Sequence, residues 1–213
     1  MTYDAVVLAA GKGSRTGLAY NKMFYVLPDG RTVLQTSLDI FRHDPDCRQI
    51  IVVCAAGELE QVRSHAAGCT FCAGGVTRQE SVYSGLQKVK SDHVLIHDGA
   101  RPFLDPADLN ALKDAMATEQ AALLMTPATD TLKRVVHGYV VSTPARSEMW
   151  QAQTPQAFDT RLILSCHEAA RAAKFAGTDD CSLVERFSQV PVKVVPGNPS
   201  NKKITLPGDV EKL

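Results

Sequence analysis

Short β-branched runs alternate with amphipathic stretches over the first 126 residues, and that rhythm sets the expected architecture. Strands are predicted at Asp4–Ala9, Gln49–Cys54, Thr70–Ala73, His93–His97 and Ala121–Thr126. Between them the pattern predicts helices at Val33–Phe41, Glu58–His65, Thr77–Lys88 and Pro106–Ala117. In the third helix Val82, Leu86 and Val89 recur at i, i+4 and i+7, which places them on one face. The fourth opens after Asp105 with proline at its first position, where a missing N–H costs nothing. Alternation of this kind implies an α/β fold: a mostly parallel sheet, helices on both faces, and a ligand crevice beyond the carboxyl ends of the strands.

The rhythm changes at Pro127. Thr131–Thr143 carries two β-rich flanks around His137-Gly138 and reads as a hairpin. Pro144 and Pro155 bracket the connection that follows. Helices at Thr160–Lys174 and Asp180–Phe187 then precede a strand at Val192–Val195. The expectation is one domain, residues 1–213, carrying a β-arm at about 129–150.

Composition narrows the classes. Apolar residues make up 45% of the chain and charged residues 22%, a globular balance. Lys plus Arg and Asp plus Glu each total 23, so no broad basic surface is expected for nucleic acid or an anionic membrane. The longest apolar run, Ile50–Ala56, is far short of a membrane span. The run Ala5–Ala10 lacks a basic leader, so no signal peptide is expected. Six cysteines without such a signal read as reduced thiols in the cytoplasm.

Three predicted strand ends carry chemistry. The first, Leu8–Arg15 (LAAGKGSR), has small residues and two glycines that let backbone N–H groups approach phosphate oxygens, with Lys12, Arg15 and Lys22 nearby. It is neither a Walker A loop nor a dinucleotide fingerprint, since Thr16 stands in the third glycine's place. The second, Gly74–Val82 (GGVTRQESV), offers paired glycines for contact with a planar ring. Its Ser81 is either a hydrogen-bonding partner or an ordinary first-turn residue. The third, His97–Pro102 (HDGARP), sets a carboxylate and a guanidinium three residues apart. They could serve a metal and a phosphate, or pair with each other. Cys69 and Cys72 form a C-x-x-C, but in a strand their side chains face opposite sides, a poor chelating geometry. The Asp179-Asp180 pair is expected to open the following helix.

Seven motifs in order resemble the 2-C-methyl-D-erythritol 4-phosphate cytidylyltransferase family across essentially the whole chain. They are LAAGKGSR with Lys22, GGVTRQESV, HDGARP, DTLKR, WQAQTPQAF, TDDCS and NKKIT. The resemblance implies a Rossmann-like domain whose protruding arm dimerises, and a cytoplasmic enzyme. It would transfer CMP from CTP to the sugar-alcohol phosphate with Mg²⁺, releasing pyrophosphate. Ala9, Ala10, Gly11, Gly13, Gly74, Gly75, Arg78, Ser81 and Asp98 would bind the nucleotide. Arg15, Lys22, Arg146 and Lys203 would act at the reacting centre. Asp98, Arg101, Thr131, Arg146, Thr154, Thr178 and Lys203 would hold the acceptor, with Asp98 also the candidate metal ligand and Thr131 and Arg146 reaching the other subunit's site.

A sister family that uses ribitol 5-phosphate shares most motifs, but Lys133-Arg134 and Met149-Trp150 favour the methylerythritol branch. A non-catalytic nucleotide-binding module is the rival from another class, opposed by the joint presence of Arg15, Lys22, Asp98, Arg101, Arg146 and Lys203. The chain departs from the family pattern at Asn21 and Met23 around Lys22, and at Gly99 in the third loop. Asn21 stands where proline is usual, so the loop that aims Lys22 is expected to lose a conformational lock. The acceptor's phosphate monoester has a second ionisation near ~6 and is largely deprotonated at neutral pH, so no general base is required.

Overall fold

The computed structural model describes residues 1–11, 20–205 and 209. Helix starts follow from the side chains that precede them. Thr32 accepts the Gln35 N–H while the Gln35 side chain accepts the Thr32 N–H, a reciprocal cap that opens α1 (Val33–Arg42). Thr77 and Glu80 repeat that arrangement at α3 (Arg78–Leu86). Asp105 accepts the Ala107 N–H ahead of Pro106 at α4 (Pro106–Ala115), and Asp159 accepts from Arg161 and Leu162 at α5 (Thr160–Ala172).

The remaining elements are β1 (Tyr3–Leu8), β2 (Cys47–Cys54), α2 (Leu59–His65), β3 (Thr70–Ala73), β4 (His93–Asp98), β5 (Ala121–Pro127), β6 (Arg134–Val136), β7 (Tyr139–Ser142), β8 (Trp150–Asp159), α6 (Cys181–Phe187) and β9 (Lys193–Pro196). The main sheet has the order β3-β2-β1-β4-β8-β5-β9. Its pairs are parallel except the two that β8 makes, with β4 and β5.

Alternate strand residues feed two cores. Ala5, Val7, Val52 and Leu95 face one side with Leu34 and Leu38 of α1 and Leu112 of α4. Val6, Ile51, Val53 and Ile96 face the other with Val82 and Leu86 of α3, Ile163 of α5 and Leu183 of α6. Burial on both faces explains why the central strands read as continuous apolar runs. Among the described residues no helix is long and apolar enough to cross a membrane.

One segment departs from the sequence expectation. The stretch between Pro144 and Pro155, read as a connection, contains the first half of β8, which runs antiparallel through the sheet. Pro155 is accommodated where the β5–β8 register shifts between Leu123 and Met125, a place where a ladder N–H can be missing. The hairpin prediction holds: β6 and β7 form a separate two-stranded sheet. His137 and Gly138 both take positive φ at its turn, as the tightest hairpin turns require.

Candidate active site

Loops after parallel strands leave the sheet on one edge, and here they enclose a cavity of about 820 Å³. Ala9, Ala10 and Gly11 reach it from β1, Gly74 to Arg78 and Ser81 from the β3–α3 junction, and Asp98 from β4. Lys22, Lys203 and Thr205 also line the wall. Thr77 and Thr205, which no motif had singled out for a role, were hidden because a threonine at a strand or helix boundary carries no distinguishing pattern.

The β3–α3 turn is shaped by close approach. A Cβ on Gly74 would stand 2.8 Å from Ser81 Oγ and 2.9 Å from the Ala10 Cβ, so only glycine lets these two strand ends meet. Ser81 Oγ donates to the Thr77 carbonyl at 2.9 Å and accepts the Gly75 N–H at 3.2 Å. It thereby holds the glycine turn against the first turn of α3, which combines the two sequence readings of this serine.

Asp98 is the charged centre of the cavity. Lys203 Nζ donates to its Oδ2 at 2.7 Å and Arg78 Nε to its Oδ1 at 3.3 Å. Arg78 also reaches Asp180 Oδ2 at 2.8 Å, and Asp180 Oδ1 lies 3.3 Å from His167 Nε2. Burial works against ionising Asp98, but Arg78, Lys203 and Arg101 outweigh it and hold the carboxyl well below the usual carboxylate range. Asp98 and Arg101 therefore do not pair as a bridge; the cations on Asp98 come from far along the chain. The Asp179-Asp180 pair opens α6 as expected, but Asp180 has a second partner. Its carboxylate makes no cap bond and turns inward to Arg78, while Asp179 accepts the Ser182 N–H instead.

The strand end behind Asp98 is held by a chain of polar groups. Burial pushes the His97 imidazole down to about 4, so the ring is neutral at neutral pH. A carbonyl accepts only, so Nε2–H donates to the Arg101 oxygen at 3.0 Å and Nδ1 is the acceptor. Thr154 Oγ then donates to Nδ1 at 3.1 Å and accepts the Asp98 N–H at 3.0 Å. The Thr154 hydroxyl, expected in the acceptor pocket, thus bridges the His97 ring and the Asp98 backbone. Arg101 donates to the carbonyls of Asn201 at 2.6 Å and Ala152 at 3.4 Å, while its buried Nε has no partner.

Lys22 opens a short 3-10 turn, Lys22–Phe24, and its Nζ donates to the Ile204 carbonyl at 2.6 Å. That carbonyl is next to Lys203, so two lysines separated by most of the chain converge on one wall. The lock expected to be missing at Asn21 is present in another form. Asn21 keeps φ at −64° and caps the turn through its side chain. The other two departures also meet: a Cβ on residue 99 would lie 2.9 Å from the Leu8 carbonyl oxygen and 3.2 Å from Met23 Sδ, so Gly99 suits a cleft floor that carries Met23.

Not every expected residue lies here. Arg15 and Gly13 fall outside the described residues. Thr131 and Arg146 are exposed on the arm, where Arg146 Nη1 donates to the Thr129 carbonyl at 3.3 Å. Thr178 is exposed between α5 and α6. None of these three lines the cavity.

An open α/β sheet whose carboxyl edge combines a glycine turn, converging cations and one ionised carboxylate is a nucleotide-handling architecture. The sequence profile of the 2-C-methyl-D-erythritol 4-phosphate cytidylyltransferase family matches residues 3–212. An enzyme of that name from Geobacillus thermodenitrificans is 42% identical over 220 residues, covering 99% of this chain and 94% of its own. One from Aquifex aeolicus is 41% identical, covering 99% and 95%. The crystal structure of 4-diphosphocytidyl-2C-methyl-D-erythritol synthase from Anaerococcus prevotii superposes with a TM-score of 0.87 at 33% identity, over 98% of this chain and 92% of that one. The Francisella tularensis cytidylyltransferase gives 0.83 at 31% identity, over 99% and 98%. The chain belongs to the 2-C-methyl-D-erythritol 4-phosphate cytidylyltransferase family.

Proposed function

We propose that this cleft joins CTP to 2-C-methyl-D-erythritol 4-phosphate, giving 4-diphosphocytidyl-2-C-methyl-D-erythritol and pyrophosphate for isoprenoid precursor synthesis. The observation that carries the reading is the convergence of Lys22, Lys203 and Asp98 on one glycine-lined cavity. The acceptor's phosphate oxygen attacks the α-phosphorus of CTP. The new P–O bond forms as the bond to the β-phosphate's bridging oxygen breaks, and that electron pair leaves with pyrophosphate. No proton needs to move, because the attacking phosphate is already ionised.

The barrier is repulsion between two polyanions. Preorganised cations in a partly dry cleft lower it, and no reorganisation is needed at the moment of reaction. Lys22 and Arg15 would grip the triphosphate, and Lys203 the acceptor phosphate. Ala9, Ala10, Gly11, Gly13, Gly74, Gly75 and Ser81 would enclose the cytidine. Arg78 would act on the nucleotide side by holding Asp98, consistent with its two carboxylate contacts. Arg101, Thr154 and Thr178 would shape the acceptor side.

Mg²⁺ fits this donor set. Each Asp98 oxygen accepts one bond from a cation, and a carboxylate offers about four lone-pair sites, so capacity remains. One carboxylate plus substrate phosphates is the usual way this ion is held. When bound, it would neutralise charge along the triphosphate.

The arm would bring Thr131 and Arg146 to the site of a second copy. Support comes from Val135, Tyr139, Val140 and Val141, all exposed on β6 and β7 or at the strand edge, with no core beneath them. The reaction would run in the cytoplasm, where the six unpaired thiols stay reduced. Incubation with CTP and either 2-C-methyl-D-erythritol 4-phosphate or ribitol 5-phosphate, with pyrophosphate measured, tests the reading. Turnover with the former is expected. Turnover with ribitol 5-phosphate alone, or CTP binding with no turnover, would overturn it.

A further inference from the structure

The turn that delivers Lys22 is only three residues long, and its backbone closes with two bonds, Phe24 N–H to the Asn21 carbonyl at 3.0 Å and Tyr25 N–H to the Lys22 carbonyl at 3.1 Å. Such a turn needs anchoring to hold a long side chain in one place. Asn21, 5% exposed, provides it with both ends of its amide. Oδ1 accepts the Met23 N–H at 3.1 Å, inside the turn. Nδ2 donates to the Ala9 carbonyl at 3.2 Å, at the end of β1, and to Glu58 Oε2 at 2.8 Å, in the turn after β2. One side chain therefore ties the Lys22 turn to the two loops that flank the nucleotide side of the cleft.

We infer that Asn21 is a positioning residue for Lys22, clamping its turn against the ends of β1 and β2 so that the ammonium is preset in the cleft. The inference rests on Lys22 acting at the reacting centre, as proposed above. The chemistry calls for an amide. Aspartate would accept from Met23 but could not donate to Ala9, and it would set a second carboxylate against Glu58. Alanine loses all three bonds. Proline would keep the backbone, because its ring holds φ near the −64° observed at this residue. Asn21 thus achieves with hydrogen bonds the restraint a ring would impose, and adds a charge-assisted bond to Glu58, of the kind roughly twice as strong as a neutral one.

The test measures kcat and KM for CTP alongside thermal unfolding. Folded Asn21→Ala and Asn21→Asp are expected to lose about 10- to 100-fold in kcat, the scale of an ångström-size misplacement, with KM for CTP little changed. In a Lys22→Ala background, Asn21→Ala should cost nothing further, because a residue that works through another is silent once the other is gone. Wild-type kcat in folded Asn21→Ala, or losses that multiply in the double variant, would each overturn the inference. If Asn21→Ala does not fold, Glu58→Gln serves instead: it keeps the shape, removes the charge, and should lower kcat without moving KM, and an unchanged kcat would overturn the inference. Full turnover in Lys22→Ala alone would instead overturn the role of Lys22, so the two failures are distinguishable.

Discussion

Lys203 Nζ donates to Asp98 Oδ2 at 2.7 Å across 105 residues of sequence, while Arg78 holds the other oxygen of the same carboxylate. Both residues line the cavity, so the pair fixes one cation of its wall in place and keeps the carboxylate ionised.

Asp98→Asn should therefore leave Lys203 without its charged partner and Arg78 with Asp180 alone. We expect turnover to drop about 100-fold, the scale seen when a preorganised electrostatic group is removed, together with a lower melting temperature. Pyrophosphate release and thermal unfolding measure the two effects, and a variant that keeps wild-type turnover would remove Asp98 from the site.

Lys22→Ala and Arg15→Ala should lower kcat by about 10²–10³ while CTP affinity changes far less, since the lost charge matters most where charge develops. Single-turnover rates set against equilibrium CTP binding separate the two. A loss confined to binding would assign these cations to the ground state.

If the arm serves a second copy, subunits carrying Lys22→Ala and Arg146→Ala should complement each other when mixed. Heterodimers would then contain one site with both residues intact, and activity should reappear from two inactive parents. Verified heterodimers that stay inactive would place Arg146 outside the partner's site.

Acid stability should report on His97. Its ordinary value is 6.5 and burial lowers it to about 4 in the fold. Between those values the unfolded chain binds the proton and the native chain does not, so stability is fully present above pH 6.5 and lost as pH falls toward 4. The loss amounts to about 3 kcal/mol across that window. Asp98, whose value is lowered rather than raised, adds its own loss only below the usual carboxylate range. Denaturant unfolding at several pH values should show a shallower slope through this window for His97→Gln; identical slopes would place the acid sensitivity elsewhere.

Local pattern was enough for the alternating elements up to β5, the hairpin at His137-Gly138, and the three strand-end loops that line the cleft. These features depend on neighbours in sequence: period, caps and turn residues act within a few positions. The strand β8 escaped that logic because three of its six buried residues are polar. Gln153, Thr154 and Gln156 are 6%, 4% and 1% exposed, yet they read as loop residues. Their burial is tolerable only because Asn198, His97, Asp98, Asp179 and Asp180 supply partners from other segments. The same holds for the charges of the site. That Asp98 would meet Arg78 and Lys203, that Asp180 would turn inward, and that the Asn21 amide would bond to Ala9 and Glu58 are facts of three-dimensional packing. Each depends on which distant group fills the space opposite, and no local periodicity records that.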